Sequence, residues 1–93
     1  MVGFQGIERV KDPDLVEAVT VAKRVLPDRL RGLRESLGLS KAEVARDTGV
    51  TKEAISAAER GDFVPSLMRI VVLAAYYGVT VDYLIWDEGE RGT

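Results

Sequence analysis

The sequence predicts an all-helical domain, and three observations predict it. Apolar residues recur at spacings of three and four along most of the chain. Ser, Thr or Asp stands just before several of these runs, and Gly just after them, as helix starts and stops require. No stretch shows the strict alternation of a half-buried strand. At 93 residues the chain has the length of one domain, with a core that buries only about 60–65% of the unfolded surface. With 46% hydrophobic and 30% charged residues, it has the balance of a folded globular protein and not of a disordered one.

The elements follow in order. Residues 1–11 lack a period and read as an arm. Asp12 and Pro13 open a helix, Asp as cap and Pro at the first helical position. Leu15, Val16, Ala18, Val19, Ala22, Val25 and Leu26 form its apolar face, and Pro27 is expected to end or sharply kink it. A second helix is expected over 28–38, with Leu30, Leu33 and Leu37 inward and Gly38 as its left-handed stop. Ser40 and Glu43 have the spacing of a capping box for a helix running to about Thr48. Gly49 suits a turn, and Thr51 caps the next helix, which runs to Arg60 and stops at Gly61. Pro65 and Ser66 open a very apolar helix, Leu67 to Tyr77, stopped by Gly78. Thr80 caps a last short helix through Val81, Leu84 and Ile85. Residues 1–27 thus read as an arm with an amphipathic helix, 28–86 as the main domain, and 87–93 as a disordered acidic tail.

Composition excludes several classes of chemistry. The chain has no cysteine and no histidine, so it forms no disulfide, no Cys/His zinc site and no Ser-His or Cys-His catalytic pair. It shows no phosphate loop and no nucleophile beside a base. The carboxylate pairs Glu43/Asp47 and Glu59/Asp62 have helical spacing but read as solvated surface groups, so no enzyme and no cofactor are expected. No apolar run approaches the roughly 20 residues that cross a bilayer. The N-terminus lacks the pattern of a signal peptide, and the cytoplasm is the expected compartment. The net charge of −2 has the wrong sign for a nucleic-acid binder. It arises in the tail, where Asp87, Glu88 and Glu90 oppose Arg91, while acids and bases balance over 1–27 and over 28–86. The face each charge occupies therefore matters more than the total.

Residues 41–60, KAEVARDTGVTKEAISAAER, have the physics of two helices crossing within about four turn residues. Ala45 permits close approach, Gly49 supplies the left-handed turn position, and Val44, Val50 and Ile55 anchor the pair. The second helix then presents its N-terminal end, as entry into a major groove requires. Residues 30–85 resemble the Cro/cI (XRE-type) helix-turn-helix family. The resemblance is carried by LRGLRESLGLS, by the segment above, by ISAAERG with Pro65-Ser66 after it, and by YYGVTVDYLI. It implies a five-helix Cro/cI-like domain, here with an additional N-terminal helix. Two positions depart from the family: Thr48, where a large apolar residue is usual, and Ala58, where Ile or Leu is commoner. Each removes buried volume, at about 1–3 kcal/mol if nothing fills the gap. The apolar face at 15–26 is a candidate filler.

The resemblance assigns roles to individual residues. Lys52 and Glu53 match base-reading positions, Lys donating to guanine and Glu accepting from cytosine. Ser56 and Ala57 lie one turn later, and Ala57 offers only a methyl contact. The competing reading of Lys52 and Glu53 is a solvated helix start, with Glu53 favoured by the helix dipole. Ser40, Lys41, Arg46, Thr51 and Arg60 are expected to face phosphates, against the plainer reading of ordinary surface groups. Asp47 and Asp62 lie near this surface and oppose DNA. For Arg34 and Glu59 the resemblance implies a structural ion pair, partly buried.

Val71, Val72, Tyr76, Tyr83, Ile85 and Trp86 exceed what one small core absorbs. They point either to a homodimer interface, with Val72, Tyr76, Tyr83 and Trp86 as candidates, or to the N-terminal helix folding back over them. Two functions remain in view. The first is a sequence-specific transcriptional regulator from a phage or prokaryote, most simply a repressor, bound as a dimer to operator DNA. The second is a protein-interaction module of the same fold, such as the antitoxin of a toxin–antitoxin pair, with a protein partner.

Overall fold

The computed structural model describes residues 13–86, with side chains from residue 17 onward. The arm, the Asp12 cap and the acidic tail lie outside the described residues. Within them the chain is all-helical: α1 (Pro13–Ser36), α2 (Lys41–Thr48), α3 (Lys52–Arg60), α4 (Leu67–Tyr77) and α5 (Val81–Ile85). The helix starts and stops follow the local chemistry. Ser40, Thr51, Ser66 and Thr80 each accept a backbone N–H from the first turn of the helix they precede. At Ser40 the box is complete: its hydroxyl oxygen accepts from the Glu43 N–H at 3.0 Å, and its own N–H donates to Glu43 Oε1 at 2.9 Å.

The break expected at Pro27 is absent, and α1 continues through it for 24 residues. Proline withholds the N–H that the Lys23 carbonyl would take and crowds that carbonyl, which costs about 3 kcal/mol. Val25 and Leu26 before it and Leu30 after it are all buried, each stabilising by roughly 1.5–3 kcal/mol. Only an unbroken helix points all three at the same core, so packing outweighs the local penalty. The proline ring is itself used: a Cβ at Gly61 would lie 3.4 Å from Pro27 Cγ, so α1 passes close to the end of α3 where no side chain intervenes.

One inward assignment is corrected. Leu37 is 55% exposed, although its N–H still donates to the Leu33 carbonyl at 3.2 Å and the chain turns left-handed only at Gly38. Val19 is 56% exposed. It lies on the Leu26 side of α1 but two turns nearer the N-terminus, where it borders an open cleft. Val21, outside the expected face, is buried.

The core joins all five helices. Leu26 and Leu30 of α1, Val44 of α2, Ile55 and Ala58 of α3, Ile70, Leu73 and Ala74 of α4 and Leu84 of α5 form one cluster with Val50. Val44 and Leu84 are fully enclosed. α1 packs chiefly on α3 and α5, and α2 on α3. Arg29 ties α1 to α5, donating to the Tyr83 carbonyl at 2.7 Å while its guanidinium stacks 4.4 Å from the Tyr83 ring centre.

Candidate nucleic-acid interface

α2 and α3 are joined through Gly49, whose φ of 79° is left-handed and whose N–H donates to the Ala45 carbonyl. No atom lies within 4 Å of a Cβ built there, so glycine is required by the backbone and not by crowding. Thr48, the departure before the turn, has a specific use. Its hydroxyl donates to the Val44 carbonyl at 2.7 Å and accepts from the Val50 N–H at 3.1 Å. A hydrogen-bonded latch replaces an apolar plug: it satisfies the Val50 N–H in the turn and adds a second donor to the Val44 carbonyl.

α3 is locked on one side and open on the other. Ile55, Ala58 and Glu59 are buried, whereas Lys52 and Glu53 project from its exposed first turn and Ser56 and Ala57 are half-buried one turn on. Ala58 is itself buried, and an open cleft of about 230 Å³ lies beside it, lined by Lys23, Leu26, Pro27, Ala58, Phe63 and Val64 among others.

The lock on α3 is electrostatic as well as apolar. Arg34 donates from Nε to Glu59 Oε2 at 2.8 Å and from Nη2 to Glu59 Oε1 at 2.9 Å, and from Nη1 to the Leu39 carbonyl at 2.9 Å. The two side chains are 12% and 4% exposed. This fork is bidentate and nearly dry, and the Glu59 carboxylate raises the pKa of the guanidinium above its usual range. Tyr77 lies in the same region. Burial and then the Glu59 charge push its hydroxyl up to about 12.

The groups expected to face phosphates are in varied states. Ser40 and Thr51 use their oxygens as helix caps, which leaves each hydroxyl proton able to donate. The Glu43 carboxylate already answers the N-terminus of α2. Its pKa is lowered by the Ser40 backbone N–H and then by the Ser40 side chain. Arg46 pairs with Asp47 at 3.3 Å and Arg60 with Asp62 at 2.9 Å, all four groups substantially exposed. Such pairs are worth about 0–1 kcal/mol, so a phosphate competes readily for the cation. Lys41 and Lys52 have no ion-pair partner among the described residues.

The remaining candidates are dispersed. Val72 is exposed. Tyr76 is half-buried and donates its hydroxyl to Asp47 Oδ2 at 2.8 Å, tying α4 to α2 and lowering the Asp47 pKa. Tyr83 lies beneath Arg29. Trp86 is half-buried, with its indole N–H enclosed and unpartnered. Among the described residues the N-terminal helix does not cover Leu67, Met68, Val71 or Val72 of α4. Sequence reasoning missed the Tyr76–Asp47 tie, for which spacing gives no signal. It also missed the exposure of Phe63, Val64, Leu67 and Met68. Burial of Ile70, Leu73, Ala74 and Tyr77, at spacings of three and four, would have placed Met68 outside, whereas Leu67, three residues before Ile70, falls on the inward spacing and its exposure carries no such signal. Among the described residues no acidic cluster could hold a metal ion, and no helix is long and apolar enough to cross a membrane.

Two short helices crossing through a left-handed glycine, the second held by its buried side and presenting its first turn, define a helix-turn-helix protein. Comparison with known proteins agrees. A family model described as helix-turn-helix matches residues 30–84. The chain is 28% identical over 66 residues to the HTH-type transcriptional regulator YgzD of Bacillus subtilis, covering 71% of this chain and 100% of that one. It is 35% identical over 57 residues to YobD, a regulator of the same type and organism, covering 61% of this chain and 51% of that one, about half its length. A crystal structure of a hypothetical transcription factor from Neisseria, NHTF, superposes with a TM-score of 0.67 at 33% identity, over 75% of this chain and 80% of that one. The chain belongs to the XRE-type helix-turn-helix family of DNA-binding proteins.

Proposed function

We propose that this DNA-binding transcription regulator is a sequence-specific, non-enzymatic repressor that occupies operator DNA as a dimer, with the cytoplasm as its place of action. The observation that carries the reading is the free first turn of α3, with Lys52 and Glu53 exposed while Ile55, Ala58 and Glu59 hold the helix from behind. In this reading α3 enters the major groove of each half-site. Lys52 and Glu53 read base edges, with Ser56 and Ala57 adding short contacts. Ser40, Lys41, Thr51, Arg46 and Arg60 hold the register on phosphates, the two arginines by leaving Asp47 and Asp62. The domain organisation is then a DNA-binding unit over 28–86, preceded by the N-terminal arm and helix and followed by the acidic tail.

The test is selection of random duplex DNA with the purified chain at two salt concentrations. The expected product is an inverted repeat whose half-sites lie about one helical turn apart. Lys52→Ala with Glu53→Ala should lose the preference for it, while Lys41→Ala should keep the preference and reduce the salt slope by about one per protomer. Enrichment of no sequence, or a double variant that still selects the same repeat, refutes the assignment. The uncovered apolar face of α4 favours a second reading, an interaction module such as an antitoxin. It predicts that tight binding survives loss of Lys52 and Glu53 and follows a protein partner instead.

A further inference from the structure

We infer that the outer face of α4, with the loop before it, is the contact between two copies of this chain. The inference rests on the dimeric reading above and adds where the dimer forms. α4 is apolar on both sides. At about 100° per residue, its buried residues Ile70, Leu73, Ala74 and Tyr77 form one stripe, and Met68, Val71, Val72 and Ala75 form the opposite one, with the exposed first residue Leu67 at the border between them. Leu67, Met68, Val71 and Val72 are 69%, 68%, 41% and 37% exposed, and Phe63 and Val64 in the preceding loop are 44% and 51% exposed. The outer stripe holds no charged group. Arg69 lies beyond its edge.

The size of this surface decides what covers it. These six side chains expose on the order of 500 Å² of apolar surface, at the upper end of what a monomer leaves in one patch. A standard interface buries about 800 Å² on each partner, so the patch supplies most of one. It continues through Val64 into a second apolar cleft, of about 210 Å³, lined by Val19, Ala22, Leu26 and Ile70 among others.

A second copy fits because a two-fold contact sets each patch against itself. With no charge in the stripe, self-apposition brings no like charges together. Two α4 helices crossing near Val71 place Leu67 against Ala75 of the partner subunit, and the small alanine permits an interaxial distance of about 8–10 Å. The centre of the contact is therefore Leu67, Met68 and Val71. Tyr76 and Tyr83 are already engaged within the protomer, by Asp47 and Arg29.

The chain has no cysteine, so one introduced thiol reports on the contact. Val71→Cys should give a disulfide-linked dimer under mild oxidation, free and on the selected DNA, while Ser36→Cys at the exposed end of α1 stays unlinked. In sedimentation the wild type should be a dimer. Leu67→Glu with Met68→Glu should raise the dissociation constant about a hundredfold or more, with the helical circular dichroism unchanged. A wild type that is monomeric both free and on DNA overturns the dimeric reading and this inference with it. Two other results overturn the α4 contact and leave the dimeric reading standing. One is a wild-type dimer that survives the double substitution, and the other is a Val71→Cys variant that links no better than the Ser36→Cys control.

Discussion

Replacing Glu59 by alanine removes both acceptors from the Arg34 fork and leaves a guanidinium that is only 12% exposed. What remains near it is the Leu39 carbonyl at 2.9 Å and the exposed Glu35 carboxylate at 4.0 Å. Neither replaces a bidentate partner in a nearly dry site. Breaking one side of a buried pair costs about 3–5 kcal/mol, because the surviving charge has lost its water and its counter-ion together. A domain of this size has about 5–15 kcal/mol in total, so Glu59→Ala should lose about a fifth or more of its stability. Arg34→Met strands the opposite charge, deeper still, and should lose at least as much. The double replacement, Arg34→Met with Glu59→Ala, strands nothing and should be more stable than the sum of the singles by about 2 kcal/mol or more. Urea unfolding followed by far-UV circular dichroism, on wild type, singles and double, gives all four corners of the cycle. A Glu59→Ala variant within about 1 kcal/mol of wild type, the value of an exposed pair, would show that water reaches this pair and that the reasoning is wrong.

Three further outcomes are expected. Gly49→Ala should destabilise by about 1–2 kcal/mol through its left-handed backbone alone, whereas Gly32→Ala, in a helix interior with open space around it, should be neutral or stabilising; thermal melts of the two variants compare them directly. Ser40→Ala should lose about 1 kcal/mol of cap and the hydroxyl's share of the Glu43 shift, while the backbone N–H of residue 40, the larger cause, remains; the lowered Glu43 pKa gives stability present above the usual carboxylate range and lost as pH falls through its folded value, and an NMR titration should show that pKa returning only part of the way toward normal in the variant. The neutral form of Tyr77 is favoured by folding, so its contribution is complete below about 10, where an unfolded tyrosine ionises, and is lost as pH rises toward the folded value of about 12. That loss amounts to about 2–3 kcal/mol, and Tyr77→Phe should flatten the alkaline limb of the stability profile.

Elements set by adjacent residues are legible in the sequence. The Ser40–Glu43 box, the Thr51 and Thr80 caps and the Gly49, Gly61 and Gly78 stops depend on groups within a few residues of one another, so spacing states them directly. The position of Lys52 and Glu53 on the open first turn of α3 follows from the Thr51 cap and the inward Ile55. The course through Pro27 is not legible, because its local penalty is readable while the burial of Val25, Leu26 and Leu30 on both sides of it is a property of the whole core. The two faces of α4 cannot be ranked by hydropathy, since both are apolar. Only contact with α2 and α5 selects which faces inward. Side and spacing place Arg46 and Arg60, but their attachment to Asp47 and Asp62 depends on rotamers that no pattern encodes.

The unbroken course of α1 fixes an angular phase. Its 24 residues rise about 36 Å along one screw, with Val21 and Val25 upstream of Pro27 and Arg34 downstream on the same thread. One residue inserted between Val25 and Arg34 would turn the upstream half by about 100° relative to the fork, swinging Val21 and Val25 off the domain while Arg34 still grips Glu59. Seven residues would nearly restore the facing, offset by about 10 Å along the axis. The first turns of α1 are therefore aimed, relative to the open first turn of α3, by counting residues.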